Sequence, residues 1–475
     1  FHTIGHINYY IAMSKINIFI LIFILLAGRV NGQSERSSYQ YPEDSAVRQK
    51  IEQWQDLKFG LFMHWGAYSQ RGIVESWSLC PEDHEWNKRT GPYADDYFTY
   101  VQAYEKLQTT FNPLNFNPDK WAEAAKNAGM KYVVFTTKHH DGFNMFDTRQ
   151  SDYKITNKSS PSTTTPPATV TKEIFNSFRK EGFMIGGYYS ISDWHNNDFW
   201  WDYFPPFDRR INYSPIKYPE KWNRLNDFIY NQLGELTSGE YGQIDLLWFD
   251  LCDISKERSP DWERYEKVIR GNQPGTIMVA RHTNGPYENY RTPEQKIPDE
   301  ALDYPWETCM TMGDSWSYKP NDRYKSTYQL IQLLVQIVSR GGNFLLNIGP
   351  SPDGDFDPVA YDRLKGIGNW MKINSEAIYE TKSISPYHET KLAFTQKENN
   401  VYAFYLADED EKQMPGKVLI HYFQPVEGSQ VFLLGHDQPL KWGKNGKGFL
   451  IHIPKTMQIH PVCQYVWTFK FQVKK

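Results

Sequence analysis

The sequence predicts an α/β chain, a (β/α)8-like TIM barrel over residues 46–384 followed by a C-terminal antiparallel β-sandwich over 385–475. Three features point there. Helical periodicity alternates repeatedly with short apolar runs. Those runs end in polar or aromatic residues, the place where parallel barrels keep their chemistry. Beyond about Ile384 the pattern changes to short alternating segments separated by Gly, Pro and charged turns. A doubly wound open sheet is the rival architecture, but no G-x-G-x-x-G follows a strand, which counts against a dinucleotide site.

In chain order, a helix over Ala46–Leu57 precedes the strand KFGLFMHWG, which ends at His64 and Trp65. A long irregular stretch from Ser69 to about Asn115 has the length and makeup of a functional loop with short helices. Pro118 opens the next helix, which turns Trp121, Ala122, Ala124 and Ala125 to the core and stops at Gly129. The strand KYVVFTTKHHDGF then brings His139, His140 and Asp141 to its C-terminal end. A helix over Ile174–Lys180 leads to MIGGYYSISDW, ending near Tyr189, Asp193 and Trp194. Trp222, Leu225, Phe228, Ile229, Leu233 and Leu236 have helical spacing and feed the stretch GQIDLLWFDLCD. There Ile244, Leu246, Trp248 and Asp250 share one face of a strand, and the single carboxylate emerges at its end. A helix over Asp261–Arg270 precedes TIMVAR, ending at Arg281, and a helix over Tyr324–Ser339 precedes NFLLNIG, followed by a helix near Tyr361–Asn374. Six strands are legible. A seventh is placed near Asp303–Trp306, and the eighth is unassigned.

Residues 1–32 stand apart from the fold. From Met13 they read as a secretory signal peptide, a Lys followed by an apolar core and small residues near Gly32, with Phe1–Ala12 as upstream sequence. An uncleaved anchor is the alternative. This predicts a secreted or lysosomal protein, free of the membrane once the signal is cleaved. Asn157 and Asn212 lie in glycosylation sequons, and Thr156–Thr171 contains a Ser/Thr/Pro run that reads as an exposed loop. Cys80, Cys252, Cys309 and Cys463 allow three full pairings and show no zinc spacing, so neither metal nor cofactor is expected. A formal net charge of −4 gives no footprint for nucleic acid. The 16 Trp and 32 Tyr suit sugar rings, although large cores also use them.

An active site built on Asp250 needs a second acid. The loop RTPEQKIPDEALDYPWETCMTMGDSWSY offers Glu294 and Glu307, and glycoside hydrolysis uses one carboxylate on each side of the anomeric carbon. FGLFMHWG, KYVVFTTKHHDGF, GGYYSISDW, LLWFD, VARHTNG, TPEQKIP, PWETCMT, DSWSY and NFLLNIGPSPDG, spread over about residues 46–385, together resemble the α-L-fucosidases of glycoside hydrolase family 29. The resemblance implies hydrolysis of terminal α-L-fucose from glycans or glycoproteins, with retention and without a metal. It implies Asp250 as nucleophile, forming a covalent fucosyl ester, and Glu294 as acid/base with Glu307 as second choice. His64, His139, His140 and Trp248 resemble the residues that hold the sugar hydroxyls, Tyr189 the tyrosine beside the nucleophile, and Arg281 the pocket arginine. Glu75 and Trp77 resemble a Glu-Trp pair, here split by Ser76, and Trp316 an aromatic against the sugar methyl. Adjacent His139 and His140 can share one pocket only if the strand bulges or ends there, since strand neighbours point to opposite faces. A fucose-binding lectin without catalysis and a hydrolase of a related sugar, such as an α-L-galactoside, remain as alternatives, and a homo-oligomer is compatible with the sequence.

Overall fold

The computed structural model describes residues 39–161, 169–200, 209–251 and 256–474. The signal-peptide segment, most of the Ser/Thr/Pro run and Cys252 lie outside the described residues.

Seven parallel strands curl into a barrel wall in the order β5-β4-β3-β2-β1-β7-β6. They are β1 (Phe59–Met63), β2 (Tyr132–Lys138), β3 (Met184–Ser190), β4 (Leu246–Asp250), β5 (Ile277–Ala280), β6 (Glu307–Thr311) and β7 (Asn343–Ile348). The helices are α1 (Ser45–Leu57), α2 (Tyr97–Glu105), α3 (Pro118–Asn127), α4 (Val170–Lys180), α5 (Pro219–Thr237), α6 (Trp262–Asn272), α7 (Thr327–Ser339) and α8 (Pro358–Asn374). Their starts follow local chemistry. Pro118, Pro219 and Pro358 each occupy a first turn, and Ser326 with Gln329 closes a reciprocal capping box at α7.

The eighth stave is not a strand. Residues 287–295 run irregularly between the edges of β5 and β6. On one side Asn289 N donates to the Met278 carbonyl at 2.9 Å and Ala280 N to Tyr287 O at 3.0 Å. On the other, Glu307 N donates to Arg291 O at 2.8 Å and Gln295 N to Cys309 O at 3.0 Å. Both sheet edges thus find partners without a regular ladder. The seventh strand, expected near Asp303–Trp306, instead begins at Glu307. Pro305 has no N–H to give to a ladder and precedes it.

Alternation along the strands divides the core. Phe62, Tyr132, Val134, Tyr188, Leu246, Trp248, Ile277, Val279, Cys309 and Leu345 fill the interior. Leu61, Val133, Phe135, Tyr189, Leu247, Phe249 and Leu346 pack outward. Ile244 departs from the expected inward face and packs with the outer set, because it precedes β4 and has not entered the pleat. Gly60 leaves room for the Tyr132 ring to cross the interior, since a Cβ there would stand 2.5 Å from that ring.

The C-terminal unit packs a five-stranded sheet, β12-β15-β10-β9-β8, on a three-stranded one, β11-β14-β13. Its strands are β8 (Lys382–Glu389), β9 (Leu392–Lys397), β10 (Asn400–Leu406), β11 (Lys417–Ile420), β12 (Phe432–Leu433), β13 (Lys441–Asn445), β14 (Gly448–His452) and β15 (Val466–Gln472). Period-two alternation serves both faces. Val401, Ala403, Phe469 and Phe471 meet Val418, Ile420, Phe449 and Ile451 of the smaller sheet, while Tyr402, Phe404 and Val466 join the barrel core. Trp370 of α8 donates its indole N–H to Val466 O at 2.9 Å, and Gln332 of α7 donates to Ala407 O at 3.0 Å. The sandwich is therefore docked on the barrel through buried apolar and hydrogen-bonded contacts.

Candidate active site

A pocket of about 220 Å3 opens at the C-terminal ends of the strands. Asp250 ends β4 inside it with its side chain 19% exposed. Oδ1 accepts from Arg281 Nη1 at 3.1 Å, Oδ2 accepts from the Tyr188 hydroxyl at 3.0 Å, and His140 Nε2 lies 3.7 Å from Oδ2. Burial alone would raise the carboxyl's pKa, but the Arg281 charge, with the Tyr188 hydrogen bond, outweighs it and holds the group below its ordinary value. Asp250 is thus ionised at neutral pH.

Arg281, directly after β5, is buried and reaches both acids. Nη2 donates to Glu294 Oε2 at 2.9 Å, Nε donates to Thr292 Oγ1 at 3.0 Å, and the guanidinium lies over the Trp248 ring at 4.5 Å. Glu294 sits on the irregular stave with its side chain 42% exposed. One guanidinium therefore ties together a sheltered carboxylate and a solvent-reachable one.

The histidines surround the other side. β2 ends at Lys138, and its pairing with β3 loses register between Thr136 and Lys138. His139 and His140, lying just past that end, both line the pocket with ring centroids 4.5 Å apart. Asn347 donates its amide to Trp316 O at 2.6 Å and so presents Oδ1 to His64 Nδ1 at 2.8 Å, leaving His64 Nε2 as an acceptor. Ser190 donates to Ser192 O at 2.5 Å and accepts from His140 Nδ1 at 2.6 Å, so His140 Nε2 is an acceptor as well. Burial lowers His64 and His140 to about 4 and His139 well below its usual range, so all three are neutral at neutral pH. Among the described residues no cluster of three or more His, Cys, Asp or Glu is arranged to hold a metal.

Glu75 and Trp77 both line the pocket. A 3-10 turn starting at Trp77 redirects the chain, and the intervening Ser76 turns inward, where its Oγ accepts from Asp141 N at 3.0 Å and lies 2.5 Å from His139 Nδ1. Glu75 Oε1 accepts from Ser317 N at 2.6 Å, while Oε2 is buried with no hydrogen-bond partner among the described residues. Burial pushes this carboxyl up to about 8.

A family model for α-L-fucosidase matches residues 26–376, and one for the α-L-fucosidase C-terminal domain matches 386–472. The chain belongs to the α-L-fucosidase family. Plasma α-L-fucosidase of Rattus norvegicus is 28% identical over 467 residues, spanning 94% of this chain and 97% of the relative. Tissue α-L-fucosidase of Homo sapiens is 28% identical and spans 95% of each chain. Among solved structures, α-L-fucosidase isoenzyme 1 from Paenibacillus thiaminolyticus superposes with a TM-score of 0.73 at 30% identity, covering 91% of this chain and all of that one. The Thermotoga maritima α-fucosidase bound to a mechanism-based inhibitor gives 0.71 at 25% identity, covering 92% and 100%.

Of the family-motif positions, His64, Glu75, Trp77, His139, His140, Trp248, Asp250, Arg281, Glu294 and Trp316 converge on the pocket. Tyr189 does not. It pairs in register with Phe249, and its hydroxyl donates outward to Gln232 Oε1 at 2.6 Å. Tyr188, in register with Trp248, takes the place beside Asp250, one residue from the expected position, which a two-residue period turns into the opposite face. Arg209 and His282 also line the pocket and were missed, since both lie in irregular chain beyond any strand pattern. Asn157 is half-buried, with Nδ2 donating to Asp152 O at 2.7 Å, and Asn212 is half-buried too. Cys80 and Cys309 are buried and Cys463 is half-buried. Among the described residues no helix is long and apolar enough to cross a membrane.

The two tyrosines give a sharp expectation. Tyr188→Phe removes a hydrogen bond to the charged form of Asp250, so the acidic limb of the kcat/KM profile should move up by about one pH unit. Tyr189→Phe should leave that profile in place and lower stability by about 1 kcal/mol. A shifted profile in Tyr189→Phe with none in Tyr188→Phe would reverse the assignment.

Glu307, the second-choice acid, lies beneath the pocket floor and is fully buried. It accepts from the Tyr132 hydroxyl at 2.6 Å, the Trp248 indole at 3.1 Å and the Tyr290 hydroxyl at 3.3 Å. Burial pushes it up to about 7 from an ordinary 4.5. Between those values the folded chain holds a proton that the unfolded chain has released, so its contribution to stability is lost as pH rises from about 4.5 to 7. Glu307→Gln has no such proton. Its stability deficit relative to the parent chain should shrink, by up to about 3 kcal/mol, between pH 4.5 and 7.5 in urea denaturation. A deficit that does not change with pH would mean that native Glu307 is ionised.

Proposed function

We propose that this family member hydrolyses terminal α-L-fucose from glycoconjugates with retention, through a covalent fucosyl–Asp250 intermediate. The observation that carries this reading is the shared guanidinium of Arg281, which holds Asp250 and Glu294 at one pocket mouth, one sheltered and ionised, the other open to solvent. In the first step Asp250 attacks the anomeric carbon and Glu294 gives its proton to the departing oxygen. Glu294, left as a carboxylate by that transfer, then takes a proton from water as the water attacks the same carbon, breaking the ester bond and releasing Asp250 as a carboxylate. Neutral His64 and His140 offer acceptor nitrogens to sugar hydroxyls, and the edge-on pair Phe62 and Trp316, with centroids 6.0 Å apart, gives the deoxy sugar's methyl an apolar corner.

The chemistry is tested by hydrolysis of 4-nitrophenyl α-L-fucoside by the chain from Gln33 onward, then by trapping with a 2-fluoro-fucosyl fluoride and peptide mapping. The label is expected on Asp250, and a label elsewhere would refute the proposed nucleophile. Binding without turnover would favour the lectin alternative. Comparable rates on aryl α-L-galactoside would show that the methyl corner does not select.

A further inference from the structure

Trp86 stands directly behind Trp77 of the pocket lining, with 52% of its surface in water, a large apolar side chain left exposed among the described residues. Its ring meets Trp77 edge-on at 5.7 Å, Trp77 meets His140 at 5.1 Å, and His140 faces Asp250. An aromatic path thus leads from the reaction centre outward. Its outer end is held firmly. His84 stacks on Trp86 at 5.4 Å with the rings 13° from parallel, and His84 N donates to Asn87 Oδ1 at 3.1 Å. Asp83, beside them, accepts from Arg209 Nη2 through both carboxylate oxygens at 2.7 Å and from Asn87 Nδ2 through Oδ1 at 2.9 Å, and the Arg209 guanidinium lies over Trp77 at 5.0 Å.

Given the fucosidase reading above, the pocket of about 220 Å3 accommodates the terminal sugar, and whatever carries that sugar must lie outside, beyond the bond being broken. A pyranose ring has an apolar C–H face and polar edges. An exposed indole fixed in place offers that face a matching surface at little ordering cost, and flanking His84 and Arg209 offer the edges hydrogen-bonding groups. We infer that Trp86 is the platform of an acceptor subsite that stacks the pyranose to which the fucose is attached.

The test compares two substrates with one active site. α-L-Fucosyl fluoride has no acceptor sugar, whereas α-L-fucosyl-(1→2)-galactose and the (1→3)- and (1→6)-linked fucosyl-N-acetylglucosamines do. For the best of the three disaccharides, the ratio of its kcat/KM to that of the fluoride should fall about tenfold in Trp86→Ala. Trp86→Phe, which keeps a ring, should recover at least a third of the lost ratio. The platform is refuted by a Trp86→Ala ratio within twofold of the parent, or by a phenylalanine variant no better than the alanine one. A misfolded variant loses activity on the fluoride as well and is thereby recognised, in which case Trp86→Phe alone decides. Failure of the parent chain to hydrolyse the fluoride would instead overturn the fucosidase reading, a separate result.

Discussion

Asp250→Gly is expected to lower kcat/KM for 4-nitrophenyl α-L-fucoside on the order of 10^4-fold while fucose itself still binds. The group removed is the one that would bond to carbon, and its two hydrogen-bond donors, Arg281 and Tyr188, keep it charged and aimed. The histidines and Trp316 do not depend on Asp250 for their positions, since their hydrogen bonds run to Asn347, Ser190 and Ser76. The glycine also leaves a space the size of a small anion. Azide should therefore enter from the vacated side in a single displacement and give a fucosyl azide of inverted configuration. More than a hundredth of the parent activity remaining would exclude an Asp250 ester.

Glu294→Ala should behave as the mirror case. Loss of general acid catalysis costs about 10^2- to 10^4-fold on substrates whose leaving group needs a proton. A dinitrophenyl fucoside needs none and should be attacked almost normally, so that the ester accumulates and azide then releases it with overall retention. Opposite configurations of the two azide products would assign the two carboxylates separately. Rescue in Glu307→Ala, with none in Glu294→Ala, would exchange the roles of the two glutamates. The burial of Glu307 among Tyr132, Trp248 and Tyr290 argues against that exchange.

Much of this site could be read before folding because parallel strands advertise themselves. An apolar run ending in a carboxylate singled out Asp250, and the family resemblance pointed to His139 and His140 past a strand end. What the residues did not disclose was depth and parity. Glu294 and Glu307 lie in one acidic stretch, yet one sits at the mouth and the other under the floor, a difference set by where β6 begins. Tyr188 and Tyr189 differ only in strand parity, and consecutive tyrosines carry no internal mark of which faces in. The eighth stave has no periodicity to detect, because its hydrogen bonds alternate between two neighbours.

That irregular stave has an evolutionary consequence. A register slip in β1–β4 would turn Phe62, Tyr188, Trp248 and Asp250 outward, whereas a residue gained or lost between Tyr287 and Gln295 changes only a stretch without register. Glu294, the proposed proton donor, can therefore migrate along its segment in descendants of this chain while the strand-borne part of the pocket stays fixed. Among divergent sequences, matching that glutamate by position will be less dependable than matching the arginine it leans on.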